Sequence, residues 1–197
     1  MKKSKTLAAR FISQGWIAAA AMLSLIALSL FDPLHNPQTQ HMSELISASW
    51  WSAIAIRVLP AIAGLSVAVF GLGCLAKGGV WSGLCALLFG AGMVSNGVVP
   101  MGSPLHGLYG AAVASILLPA CFAAEFRLGP AMRQVSLAVA FIALAYLWAL
   151  ALVGLDPPEF RGLTQRAASF AAFGWFALAA RASVNRRTRP PAITFER

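Results

Sequence analysis

The sequence predicts an all-α integral membrane protein, a bundle of six transmembrane helices running largely up and down with both ends in the cytoplasm. Three observations carry that expectation. Hydrophobic residues make up 59% of the 197 and charged residues only 11%, a mixture too apolar for a soluble domain that must cover itself with polar surface. Six apolar stretches each approach the roughly 20 residues that a helix needs to cross a hydrocarbon core about 30 Å thick. Lysine and arginine fall at the two ends and in alternate connections, the pattern that orients spans with their basic loops inside. Open strands are excluded, because backbone amides without water must be satisfied within the segment, and the alternation of a transmembrane barrel is missing.

Along the chain, residues 1–11 form a basic cytoplasmic N-terminus. Met1-Lys2-Lys3 imitates a secretory signal, but the run Ile12 to Phe31 is longer than a signal core and Ala27-Leu28-Ser29 is a weak cleavage site. That run is read as the first span. A loop follows from Asp32-Pro33 to His41. Ser43 and Glu44 resemble a helix start, with a hydroxyl for the first-turn amides and an acid at the positive end of the dipole. Ser43 to Trp50 would then extend the second span, Trp51 to Ala76, which Pro60 kinks just below Arg57. Lys77-Gly78-Gly79 turns the chain into span three, Val80 to Val99. Pro100-Met101-Gly102-Ser103-Pro104 leads to span four, Leu105 to Ala124. Arg127 to Arg133 leads to span five, Val135 to Leu155, and Asp156-Pro157-Pro158-Glu159 to span six, Leu163 to Ala180. The membrane domain thus occupies 12–181, and 182–197 is a basic cytoplasmic tail attracted to anionic lipid.

The formal charge of +9 does not imply nucleic acid, since the basic residues form no broad surface. Twelve of the fifteen lie on one side (Lys2, Lys3, Lys5, Arg10, Lys77, Arg127, Arg133, Arg181, Arg186, Arg187, Arg189, Arg197) and Arg161 alone on the other outside a span. The reading is a bacterial inner membrane location with both termini cytoplasmic. Trp16 and Trp81 fall near the inner boundary and Trp50 and Trp51 near the outer one, while Trp148 and Trp175 are expected to pack inside the bundle. Gly79 with Gly83, Ala86 with Gly90, and Gly107 with Ala111 and Ser115 have the four-residue spacing of helix contacts in lipid. Cys74, Cys85 and Cys121 lie in apolar runs without metal-ligand spacing and read as small fillers.

The polar residues left over gather on the outer side. His35, His41 and His106 are there with Asp32, Glu44, Asp156 and Glu159, joined by Arg57 from span two and Gln165 and Arg166 from span six. The candidate site is Asp32, His35, Ser43, Glu44, Arg57, Asn96, His106, Gln165 and Arg166. An arginine at the centre of a span costs about 2.5 to 3.5 kcal/mol on insertion scales, so Arg57 and Arg166 need partners. They are either stapled by carboxylates (Glu44, Asp32, Asp156 or Glu159), which a guanidinium can grip in bidentate fashion, or they form an anion or head-group site. No H-x-x-x-H or H-E-x-x-H spacing supports a metal, loop histidines are poorly placed for haem, and no nucleophile-elbow pattern surrounds Ser43. No metal and no cofactor is expected.

The order Asn36-Pro37, Ser43-Glu44-Leu45, Val99-Pro100 with His106-Gly107, and Gly162-Leu163-Thr164-Gln165-Arg166 resembles the bacterial membrane proteins grouped as domain of unknown function 998. The resemblance covers about Phe11 to Ala180 and implies a multi-pass helical membrane protein with no established reaction. In that pattern the proline after span three follows an aromatic and precedes an acid, whereas Val99 and Met101-Gly102 flank Pro100 here. The functional expectation is binding of a lipid head group or small molecule by the outer cluster. The alternatives are a membrane-embedded hydrolase or lipid-modifying enzyme using outer histidines and acids, and an accessory subunit with a protein partner in the membrane. Membrane lipids are the expected partners in every case.

Overall fold

The computed structural model describes residues 2–100, 102–108, 113–151 and 158–184. Among them are seven α-helices, a short 3-10 helix and no strand: α1 (Lys2–Ser13), α2 (Gly15–Phe31), the 3-10 helix Met42–Ser47, α3 (Trp50–Ala76), α4 (Val80–Val98), α5 (Val113–Glu125), α6 (Pro130–Ala151) and α7 (Arg161–Val184). Four helical stretches are long and apolar enough to cross a membrane: Leu7–Phe31, Trp50–Ala76, Val80–Val98 and Pro130–Trp148. Of the other two expected spans, α5 has 13 described residues. Helix α7 has 24, but it carries Arg161, Arg166 and Arg181.

Helices α2 to α7 form a closed ring. Each packs mainly on its two neighbours, α2 on α3, then α4, α5, α6 and α7 in chain order, with α7 returning to α2. The short turns 77–79 and 126–129 impose antiparallel pairing on α3 with α4 and on α5 with α6. The closest crossing joins α3 to α4 through glycines seven residues apart on each helix, Gly64 facing Gly90, Gly71 facing Gly83, and Gly97 lying against Arg57 and Ala61. A Cβ on Gly90 would lie 2.6 Å from the Gly64 carbonyl oxygen, and one on Gly71 2.9 Å from that of Gly83. Gly83, Ala86 and Gly90 are therefore packing positions, as their spacing predicts, though the seven-residue repeat is the stronger signal.

Six helices in a ring leave a centre too wide for backbones to close. Toward the end that carries the α3–α4 and α5–α6 turns, aromatic rings fill it. Phe70 sits 5.9 Å from Phe122 and 5.3 Å from Phe176, and Trp175 stands edge-on to Phe122 at 5.3 Å. The Trp175 indole donates to Ser136 Oγ at 2.9 Å, so its one polar atom is satisfied in the plug. At the same end the Glu125 carboxylate caps α4, accepting from the amides of Trp81 and Ser82, each at 2.8 Å. The exterior is apolar, with Phe31, Leu65, Phe141 and Phe170 more than half exposed.

Several expectations are corrected. Beyond what the sequence predicts, residues 2–13 form the helix α1, and Ile12 is buried against Gly73 of α3. Ser43 does not cap an extension of the second span. The segment is a separate 3-10 helix whose Glu44 accepts from the His41 amide at 2.9 Å, and α3 starts afresh at Trp50. Residues 106–108 form a single 3-10 turn rather than the start of span four, and α6 starts earlier than expected, at Pro130. Trp148 is 52% exposed, whereas Trp175 is buried as expected. Pro60 lies inside α3, as expected. The three cysteines are free. Met101, Ala111, Asp156 and the tail 185–197, on which other expectations fall, lie outside the described residues.

Candidate functional site

The polar residues that the sequence places on one side are found at the ring end opposite the aromatic plug. The structure divides them into two groups with different surroundings.

The first group is a buried clamp. Arg166 is only 4% exposed, yet no carboxylate meets it among the described residues. Its Nε donates to Ser29 Oγ at 2.9 Å. One terminal nitrogen donates to the carbonyls of Pro37 (2.8 Å), Gln40 (3.0 Å) and Gly162 (2.8 Å), and the other to His35 Nε2 at 2.6 Å. The guanidinium is thus solvated by neutral acceptors, which spread its charge without an opposing one. Gly162 makes this possible: a Cβ there would overlap the carbonyl oxygens of Pro37 and Gln40 and lie 2.9 Å from the Arg166 nitrogen. The Gly162 to Arg166 spacing is one helical turn, so the glycine admits the loop and the arginine grips it.

The loop 32–41 is shaped for that grip. Asn36 Oδ1 accepts from the Gln38 amide at 3.0 Å, an Asx turn that presents the Pro37 carbonyl. Asp32 at the end of α2 accepts from the Leu34 amide at 2.9 Å and from the amide and hydroxyl of Ser49. Burial pushes its carboxyl upward, but those hydrogen bonds outweigh burial and hold it down at about 2. His35 moves below the ordinary imidazole value, first because it is buried and then because Arg166 is beside it. A neutral His35 must accept from Arg166 through Nε2, which puts its proton on Nδ1, a buried atom with no hydrogen-bond partner. Glu44 pairs with Arg161 at 3.1 Å, across partly exposed side chains. Of the carboxylates expected as staples, Glu44 thus pairs with Arg161 and Asp32 is taken up by the Leu34 and Ser49 amides and the Ser49 hydroxyl, while Asp156 lies outside the described residues.

The second group lines a cavity of about 690 Å³ inside the ring. Its walls include Ser43, Arg57, Asn96, His106 and Gln165 from the expected cluster, together with His41, Tyr146 and Ser169. Helix α7 shows why neighbouring residues part company. Gln165, Ala168, Ser169, Ala172 and Phe173 line the cavity at helical spacing, and Arg166, turned by about 100° from Gln165, serves the clamp. Gln165 also ties the two groups together, since its Oε1 accepts from the Met42 amide at 2.7 Å. Among the described residues Arg57 has no hydrogen-bond or ion-pair partner, and none of those on the cavity wall is an Asp or Glu. Pro60, one turn on, lacks the amide that would bond the Ile56 carbonyl, and both residues border the cavity.

The turn 102–108 closes one side of the mouth. Gly107 and Leu108 both have positive φ, +71° and +44°, which folds the turn back against α4. A Cβ on Gly107 would lie 2.6 Å from Asn96 Oδ1. Ser95 Oγ donates to the Leu105 carbonyl, and His106 Nδ1 lies 2.8 Å from the Val99 carbonyl. A carbonyl only accepts, so Nδ1 carries a proton and a neutral His106 keeps the lone pair on Nε2. Among the described residues no three His, Cys, Asp or Glu converge as metal ligands.

The wall residues that sequence reasoning missed, Tyr146 and Ser169, are the polar exceptions within apolar runs, and Ser169 repeats the Gln165 face one turn later. Ser29 and Ser49 of the clamp carried no sequence signal, because serine in a span or at a helix start is commonplace.

A family model described as "Protein of unknown function (DUF998)" matches residues 16–182. No curated protein and no solved structure matches the chain.

Proposed function

The chain belongs to the DUF998 family of proteins of unknown function, and from that premise we propose that it crosses a bacterial inner membrane six times and binds a lipid head group or small molecule in the cavity on the outer side. The cavity itself carries this reading: its volume lies in the range of about 300 to 1,000 Å³ typical of ligand sites, and apolar walls with a few convergent polar groups match their usual chemistry. The ring architecture supports a binding role, since the aromatic plug closes the cavity from the opposite end. The basic loops at the plug end support placing that end in the cytoplasm.

Native mass spectrometry in mild detergent tests it. Ala172→Trp places an indole in the cavity while leaving the clamp untouched. The wild-type chain is expected to retain small-molecule or lipid mass that the variant loses, with thermal stability unchanged to within a few degrees. Equal retention by both refutes cavity binding. Reporter fusions at Lys77 and His106 check the topology, and the same compartment for both overturns it.

A further inference from the structure

The cavity is not uniformly polar, and its polarity follows depth. Asn96, Gln165 and Arg57 lie about 3 to 10 Å along their helices from the mouth-side ends at 1.5 Å per residue, and His106 sits in the turn at the mouth. Phe89 and Phe173 lie about 14 to 18 Å in, where they meet at 5.7 Å and continue into the aromatic plug. A ligand that filled this space would have a polar end near the mouth and an apolar end on the aromatic floor.

Charge fixes the kind of polar end. Among the described residues Arg57 is the wall's permanent cation, no carboxylate shares the wall, and none pairs with the guanidinium. A guanidinium that no described residue grips keeps its fork of donors available, and a carboxylate or phosphate oxygen pair matches that fork. Resting on the binding role above, we propose that the cavity takes an anionic amphiphile, its acidic head held by Arg57 with Gln165, Asn96 and His106 around it, and its apolar chain directed at Phe89 and Phe173.

Calorimetric titration of the full chain in phosphatidylcholine nanodiscs, with empty nanodiscs as the blank, tests this. The probes are decanoate, acetate, decanol and decyltrimethylammonium. Arg57→Gln removes the charge. Gln165→Glu adds an opposing one while its Oε1 position can still accept from the Met42 amide, so a loss of binding is not a loss of that fold contact. Decanoate is expected to bind saturably, at least about a hundredfold tighter than acetate, with both variants weakening it about tenfold or more and leaving decanol unchanged. Equal decanoate affinity in wild type and both variants overturns the proposal, as does acetate binding as tightly as decanoate or the cation binding as well as the anion. Saturable decanol binding with no advantage for decanoate overturns the anionic assignment alone and leaves the binding role standing; no binding of any probe removes both. Replacing phosphatidylcholine by phosphatidylglycerol identifies the source: competition with decanoate assigns the same site to a bilayer lipid, and no competition assigns it to a free amphiphile.

Discussion

Replacing Arg166 gives the most direct test of the clamp. The side chain is 4% exposed and donates to five acceptors, three of them loop or helix carbonyls. Arg166→Ala leaves those acceptors without their donor, at about 1 to 3 kcal/mol for each that stays dry. It also opens a void beneath the loop. Release of the buried charge offsets part of this, and loop carbonyls that reach water recover some of the rest. A net loss of about 4 kcal/mol is expected, a fall of roughly 10 °C in a chain of this size. Arg166→Lys keeps the charge but cannot span acceptors on three segments, so it loses about half as much. The comparison is Arg161→Ala, which breaks the Arg161–Glu44 ion pair. That pair is partly exposed and contributes about 1 kcal/mol or less. Thermal unfolding in detergent, followed by circular dichroism, measures all three variants. If Arg161→Ala is as damaging as Arg166→Ala, or Arg166→Ala stays within 1 kcal/mol of wild type, the reasoning about neutral solvation of Arg166 is refuted.

Gly162→Ala drives a methyl into the Pro37 and Gln40 carbonyls and is expected to cost about 1 to 3 kcal/mol, read by the same melts; a neutral result shows that the loop is not held against α7. Asp32, held at about 2 in the folded chain, contributes stability that is present above its ordinary value near 4 and is lost as pH falls from there toward 2, so Asp32→Asn should flatten the melting temperature across that window and leave it lower at neutral pH. His35 is depressed in the folded state, so protons bind the unfolded chain first below about pH 6.5 and stability declines with acidification; His35→Gln should remove that slope, and an unchanged slope assigns it elsewhere. Glu125→Gln weakens the cap on the first turn of α4 and should cost about 1 kcal/mol, checked by chemical unfolding.

The amino-acid sequence by itself determined the helices, their antiparallel order and the side on which the polar residues gather. Those properties depend on local composition, since about 20 apolar residues in lipid have little choice but a helix, and breaks such as Lys77-Gly78-Gly79 are written in single residues. It also contained the α3–α4 contact, as glycines at 64 and 71 facing those at 90 and 83. What it did not contain was the division of the cluster. Gln165 and Arg166 are adjacent in the chain, and only the placement of α2 and α6 on either side of α7 sends one to the cavity and the other to the clamp. The sequence offered carboxylates for Arg166; the folded loop supplied backbone carbonyls, whose positions depend on the Asx turn at Asn36 and on the missing side chain at Gly162 rather than on any charged group. The cavity likewise exists only because six helices close into a ring whose aromatic residues fill one half of the centre and leave the other half open.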